Sequence, residues 1–319
     1  MKKIFISLLT LSTFLTACNR GNDLLLNSTA LEEVSSQSVN EVSEDEYIVK
    51  RKGIEYLDGD SAFAEKYNLE IIKKIPGLMV DIVKASSSSY EKLKSSPTIE
   101  YVEPNYIRKM NIQIAQENYS YSTSLKKTGI IKANNIFKGR AFVTVAIIST
   151  GVDLKHPDLQ GKIVNGFSTF SKKDTPQDIN GVGTYQAGLI VASNQEQGIV
   201  GVAPNCKVMP IKAMSENGII KDSDLIHGIA LAVEYGASVI NVTAEGSNPS
   251  KALEDAVKYA FDKKIPIIVG AGDSSSSNPT YPAATKGVIS VGAISNNLSR
   301  LSTSNFGKWI SVSAPGGSY

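Results

Sequence analysis

The chain has 319 residues, 42% hydrophobic and 20% charged, with 33 Lys and Arg against 31 Asp and Glu. That composition supports a full core and excludes a mostly disordered chain, and a net charge of +2 leaves no electrostatic footprint for nucleic acid. Two cysteines, Cys18 and Cys206, exclude a disulfide framework, and two histidines, His156 and His227, leave little material for a zinc cluster or for general-base chemistry.

Lys2 and Lys3 precede an apolar stretch, Ile4–Leu15, that is too short to span a bilayer. Leu15-Thr16-Ala17-Cys18 closes it with small residues before a cysteine. The order predicts a secretory signal over residues 1–17 and resembles a bacterial lipobox, in which the cysteine becomes the lipidated N-terminus. Cys18 is therefore the expected lipidation site. Membrane lipid is a partner through it, and the location is extracytoplasmic, at the cell surface or in a periplasm. Each buried methylene of such an anchor adds about 0.8 kcal/mol. Residues 18–45 are rich in Ser, Asn, Glu and Val without a sustained period and read as a flexible tether.

From Glu46 the pattern changes. Tyr47–Lys50 alternates as a strand, and Ser61–Tyr67 suits a short helix. Leu69–Lys73 and Leu78–Val83 are apolar runs around a Pro76-Gly77 turn. Ser87–Ser95 suits a second helix, and Ile99–Pro104 reads as a strand ended by its proline. Strands alternating with two helices predict a small α/β domain over 46–110. Residues 107–120 are polar, and a linker is placed at 111–124.

The rest, 125–319, alternates strands and helices. Val143–Ile148, Val208–Ala213, Ala237–Val242, Pro266–Ala271 and Val288–Ile294 read as buried strands; Thr184–Ala192, Ser223–Tyr235 and Lys251–Phe261 read as helices. This is the pattern of a doubly wound parallel sheet, whose ligand chemistry sits at the carboxyl ends of the strands. Cys206, at a strand start, is expected to pack as a small buried residue, and His227 to be exposed on its helix.

The strand ends carry a resemblance. Val145–Asp153 followed by His156-Pro157-Asp158-Leu159, Asn180–Gly188, Gly198–Asn205, Ala271-Gly272-Asp273 with Tyr281-Pro282-Ala283, and Ser313-Ala314-Pro315-Gly316 follow in the order of the subtilisin-like serine proteases, the subtilases. Tyr101-Val102-Glu103-Pro104-Asn105 is similar to the end of that family's inhibitory propeptide. The resemblance implies a subtilisin-like sheet, incomplete at its C-terminus, behind a propeptide-like domain that is itself a partner of the cleft.

At the positions where the family carries its catalytic aspartate, histidine and oxyanion asparagine, this chain has Ser149, Tyr185 and Asp273, and no serine nucleophile motif follows Pro315-Gly316. Such chemistry needs a nucleophile, a base and a group that orients the base. The expectation is therefore a non-enzyme: a pseudoprotease or binding scaffold for a peptide or protease partner. The alternative is a serine endopeptidase, or a decayed or truncated product of one, in extracytoplasmic proteolysis. Thr243-Ala244-Glu245-Gly246 aligns with the family's substrate-pairing strand, and Glu245, where a glycine is usual, is expected to hinder strand addition. No cofactor is required. The resemblance leaves a structural calcium as an option, with Asp158 and Gln195 as its matched ligand positions.

Overall fold

The computed structural model describes residues 41–53, 59–110, 126–193, 199–295 and 297–316. The signal, Cys18, Gln195 and the linker lie outside the described residues, as does most of the tether.

The small domain runs β1 (Val42–Arg51), α1 (Asp60–Tyr67), β2 (Leu69–Ile75), β3 (Val80–Ala85), α2 (Ser87–Lys94) and β4 (Ile99–Lys109). Its strands are antiparallel in the order β2-β3-β1-β4, and β8 (Ile219–Lys221) of the following domain adds to the β4 edge. Strand periodicity sends alternate residues to opposite faces. Val49 and Val83 join Phe63, Tyr67 and Leu93 in the small domain's own core. Their neighbours Ile48 and Ile82 join the large domain's core with Ile226, Ile229 and Ala256. One sheet thus seals two cores.

β4 continues through Pro104 to Lys109, past the end predicted from the proline and into the stretch read as polar linker. Proline lacks the ladder N–H, but the β1–β4 register shifts between the Val42–Tyr106 and Tyr47–Pro104 pairs, and such an irregularity accommodates it.

The large domain contains α3 (Ile130–Ile136), β5 (Thr144–Ser149), β6 (Phe167–Ser168), α4 (Val182–Val191), β7 (Lys207–Lys212), β8, α5 (Asp222–Glu234), β9 (Val239–Val242), α6 (Lys251–Asp262), β10 (Ile267–Gly270), β11 (Ile289–Ile294) and β12 (Val312–Pro315). Its sheet is parallel in the order β12-β11-β10-β9-β5-β7-β6. Adjacent residues of β5 face opposite sides: Ile148 packs with the α5 and α6 residues, and Ile147 with Ala187 and Val191 of α4. Helices cover both faces, as an apolar parallel sheet requires. Cys206 is buried as expected. No described helix is long and apolar enough to cross a membrane.

Candidate functional site

The two domains meet through polar contacts centred on the starts of α5 and α6. Glu103 of β4 reaches the α6 N-terminus: its carboxylate accepts hydrogen bonds from the Ser250 hydroxyl (2.7 Å) and the Lys251 and Ala252 N–H groups (2.8 and 3.0 Å). A carboxylate there also faces the positive end of the helix dipole. Burial raises the Glu103 pKa, and those same hydrogen bonds oppose the rise. Asn105 bonds Ser223 twice, through its N–H group and hydroxyl, at 3.0 Å each. Lys50 pairs with Asp255 at 2.6 Å, and Lys73 with Asp224 at 2.7 Å. Burial pushes the Glu46 carboxyl up, but hydrogen bonds from Lys221 and Asn105 outweigh it and leave the group below its ordinary value.

Beyond these contacts the end of β4 runs between two edges of the large domain. Ile107, Arg108 and Lys109 pair antiparallel with Lys221, Ile220 and Ile219 of β8. The Met110 N–H donates to the Gly218 carbonyl (2.8 Å). On the opposite edge Lys109 and Glu245 exchange both backbone bonds: the Lys109 N–H donates to the Glu245 carbonyl (3.0 Å) and the Glu245 N–H to the Lys109 carbonyl (2.9 Å). An extended segment is therefore held from both sides, by strand addition.

Glu245 does not hinder this pairing, contrary to the sequence expectation. Its side chain is buried and turns inward, accepting hydrogen bonds from the Ser274 hydroxyl (3.1 Å) and the Asn305 amide (3.2 Å). Only the backbone of Glu245 faces the docked strand. Thr243 accepts a 2.7 Å hydrogen bond from the Gln186 amide, which ties the 243–246 segment to α4.

Ser149 ends β5, fully buried. Its carbonyl accepts from the Ala213 and Met214 N–H groups, and its hydroxyl finds no partner among the described residues. Tyr185 lies in α4 and is 40% exposed. The two elements lock at Gly183, whose N–H donates to the Thr150 hydroxyl (3.1 Å); a Cβ on Gly183 would run into the Gly151 carbonyl. Asp273 follows β10, next to the Gly272 backbone that packs on the Glu245 carboxylate. The sheet thus brings Ser149, Thr243 and Asp273 to the carboxyl ends of β5, β9 and β10.

His227 is not exposed as expected. Its helix, α5, lies under the small domain, and its Nδ1 is buried without a hydrogen-bond partner among the described residues. Burial first, then the positive charges of Lys73 and Lys172, depresses its pKa to about 4. His156 Nδ1 accepts the Asp158 N–H (3.2 Å) and holds its loop. No three His, Cys, Asp or Glu side chains converge as a metal set among the described residues. Of the two matched calcium positions only Asp158 is among the described residues, and calcium takes six to eight oxygens.

Residues 141–318 match the model of the subtilase family. The chain belongs to the subtilase family. A thermophilic serine proteinase of Bacillus sp. (strain AK1) is 36% identical over 70% of this chain and 56% of its own length. Thermitase of Thermoactinomyces vulgaris is 35% identical over 54% of this chain and 62% of its own. Among solved structures, fervidolysin of Fervidobacterium pennivorans, a keratinolytic enzyme, superposes with a TM-score of 0.72 at 25% identity, covering 88% of this subtilase and 48% of fervidolysin.

These relatives overturn the expectation of a non-enzyme: they are named as proteinases, so family membership points to an enzyme. The chain spans 56% and 62% of the two curated relatives. The sequence reading missed two further site residues, Arg108 and Asp222. The signal for Arg108 was a lone arginine after a Tyr-Ile pair, and nothing local connects it to a carboxylate 114 positions away.

Proposed function

We propose that this subtilase is part of a serine-type endopeptidase acting in extracytoplasmic proteolysis. One observation carries the reading: the chain grips an extended peptide, its own Ile107–Met110, backbone to backbone between β8 and Glu245, beside the carboxyl ends of the sheet. That is how a protease presents a peptide for attack. The proteinase names of the relatives support the same reaction class. In this reading residues 46–110 act as an inhibitor that fills the cleft, and Cys18 tethers the protein to a membrane.

The chemistry places a demand on the reading. Serine and tyrosine hydroxyls are poor proton acceptors at neutral pH, and a carboxylate repels a developing oxyanion. An endopeptidase on this scaffold therefore draws its base and nucleophile from groups other than Ser149, Tyr185 and Asp273.

The test incubates the purified, folded chain with casein and with a fluorophosphonate probe. New peptide termini and a labelled serine support the reading; a folded chain that yields neither overturns it. For the anchor, Cys18→Ser is expected to release the protein from the membrane fraction, and unchanged fractionation contradicts it.

A further inference from the structure

We infer that the pocket headed by Asp222 is a recognition site for an arginine side chain on an extended peptide. The inference rests on the reading that Ile107–Met110 stands in for a substrate or partner peptide.

Arg108 belongs to the small domain's last strand, yet every hydrogen bond of its guanidinium goes to the large domain. The Nε and Nη2 groups grip the two oxygens of Asp222, the second at 2.7 Å. Nη2 also donates to the Asn248 carbonyl (3.1 Å), and Nη1 to the Tyr281 carbonyl (3.0 Å). Four of the five N–H donors of a guanidinium are thereby used. Arg108 and Asp222 are both fully buried.

The pocket selects by geometry as well as charge. A planar fork meets a carboxylate edge-on while two carbonyls sit at the fork's outer N–H groups. A lysine ammonium is a point donor and reproduces none of that geometry. A leucine leaves the buried Asp222 without its counter-charge. Entry depends on Gly246: a Cβ there would lie 3.1 Å from Arg108 Nη1 and 3.2 Å from its Cγ, tighter than ordinary contact. Two residues on, Met110 packs into the apolar cluster and against Gly218, while Lys109 between them points to solvent. The cleft therefore favours an arginine, any residue, then an apolar residue.

This is more than a bond holding two domains. The interface already has Lys50–Asp255, Lys73–Asp224 and the Glu103 cap. Arg108 differs in lying on a stretch that the large domain pairs on both backbone edges, with its acceptors all on the receiving side.

The test empties the pocket and refills it. Full-length Arg108→Ala is melted with and without millimolar n-propylguanidinium, with n-propylammonium as the control. The pocket predicts that the guanidinium raises the melting midpoint of Arg108→Ala, binding about 10- to 100-fold more tightly than the ammonium, as hydrogen bonds to a buried carboxylate should. It predicts no rise for the parent, whose pocket is full, or for Arg108→Ala with Asp222→Asn. Absence of a rise in Arg108→Ala, or an equal rise with the ammonium, overturns the inference. If Arg108→Ala does not fold, Arg108→Ser carries the same comparison. The sites cut in a peptide library give an independent readout. Arginine enriched at one fixed distance from the new termini supports the pocket, and cleavage without enrichment overturns it. Rescue without any cleavage sinks the endopeptidase reading and leaves the pocket standing.

Discussion

Glu103 gives the most direct energetic handle on how the two domains hold together. Glu103→Ala removes a carboxylate that accepts three hydrogen bonds at the N-terminus of α6. The Lys251 N–H is at the exposed end and turns to water. The Ser250 hydroxyl and Ala252 N–H are partly buried, and hydrogen bonds to a charged group are worth about 1.5 kcal/mol each. The negative charge at the helix start adds about 0.5 kcal/mol. Against this, burial raises the Glu103 pKa and is the largest single effect on the carboxylate, so desolvation offsets much of that gain. The net expectation is a loss of about 1–2 kcal/mol. Glu103→Gln, which keeps one acceptor oxygen, should lose roughly half of that. Urea unfolding of the full chain measures both, and a double-mutant cycle with Ser250→Ala should return a coupling of about 1 kcal/mol. A Glu103→Ala midpoint that corresponds to less than about 0.5 kcal/mol, or a cycle with no coupling, refutes the argument that this cap joins the domains.

Two further predictions concern the large domain. Because the folded state holds the His227 pKa near 4 while the unfolded imidazole titrates near 6.5, the unfolded chain takes up the proton first. Stability is therefore lost as pH falls from about 6.5 to about 4, by at most about 2–3 kcal/mol after discounting for partial exposure. The parent-minus-variant difference with His227→Gln isolates this part; a difference flat across that window contradicts the burial of the ring. Gly183→Ala sets a Cβ against the Gly151 carbonyl, backbone against backbone. It should cost about 3 kcal/mol or more in a thermal or urea melt, and a variant as stable as the parent would show that α4 is free to move off β5.

Much of the large domain was legible because burial writes itself into composition. β5 is apolar on both faces, so Val143–Ile148 reads as a central strand without any help from tertiary structure. β6 and β8, of two and three residues, carry no period and exist only because a neighbour pairs with them. Pro104 misled the reading: the local rule against proline in a ladder is correct, and the irregularity that lifts it lies on the partner strand. Ser149 and Asp273 lie at strand ends and Tyr185 in a helix, as the element pattern predicts, but what surrounds them was not legible. Glu245 was read as an obstacle because sequence gives a side chain's length and not its direction. His227 was read as exposed because the domain that covers α5 is contributed by residues far earlier in the chain. Arg108 was passed over for the same reason: its partner, Asp222, is visible only once β4 lies beside β8.

The account depends on a peptide segment held along both of its edges, and amide hydrogen exchange on the full chain tests this directly. The Lys109, Met110 and Glu245 N–H groups donate to Glu245, Gly218 and Lys109 carbonyls respectively, so all three should exchange slowly and with one shared rate. If Lys109 and Met110 exchange as fast as a free peptide while Ile148 in β5 stays protected, the segment is not gripped, and the peptide-presenting cleft is wrong.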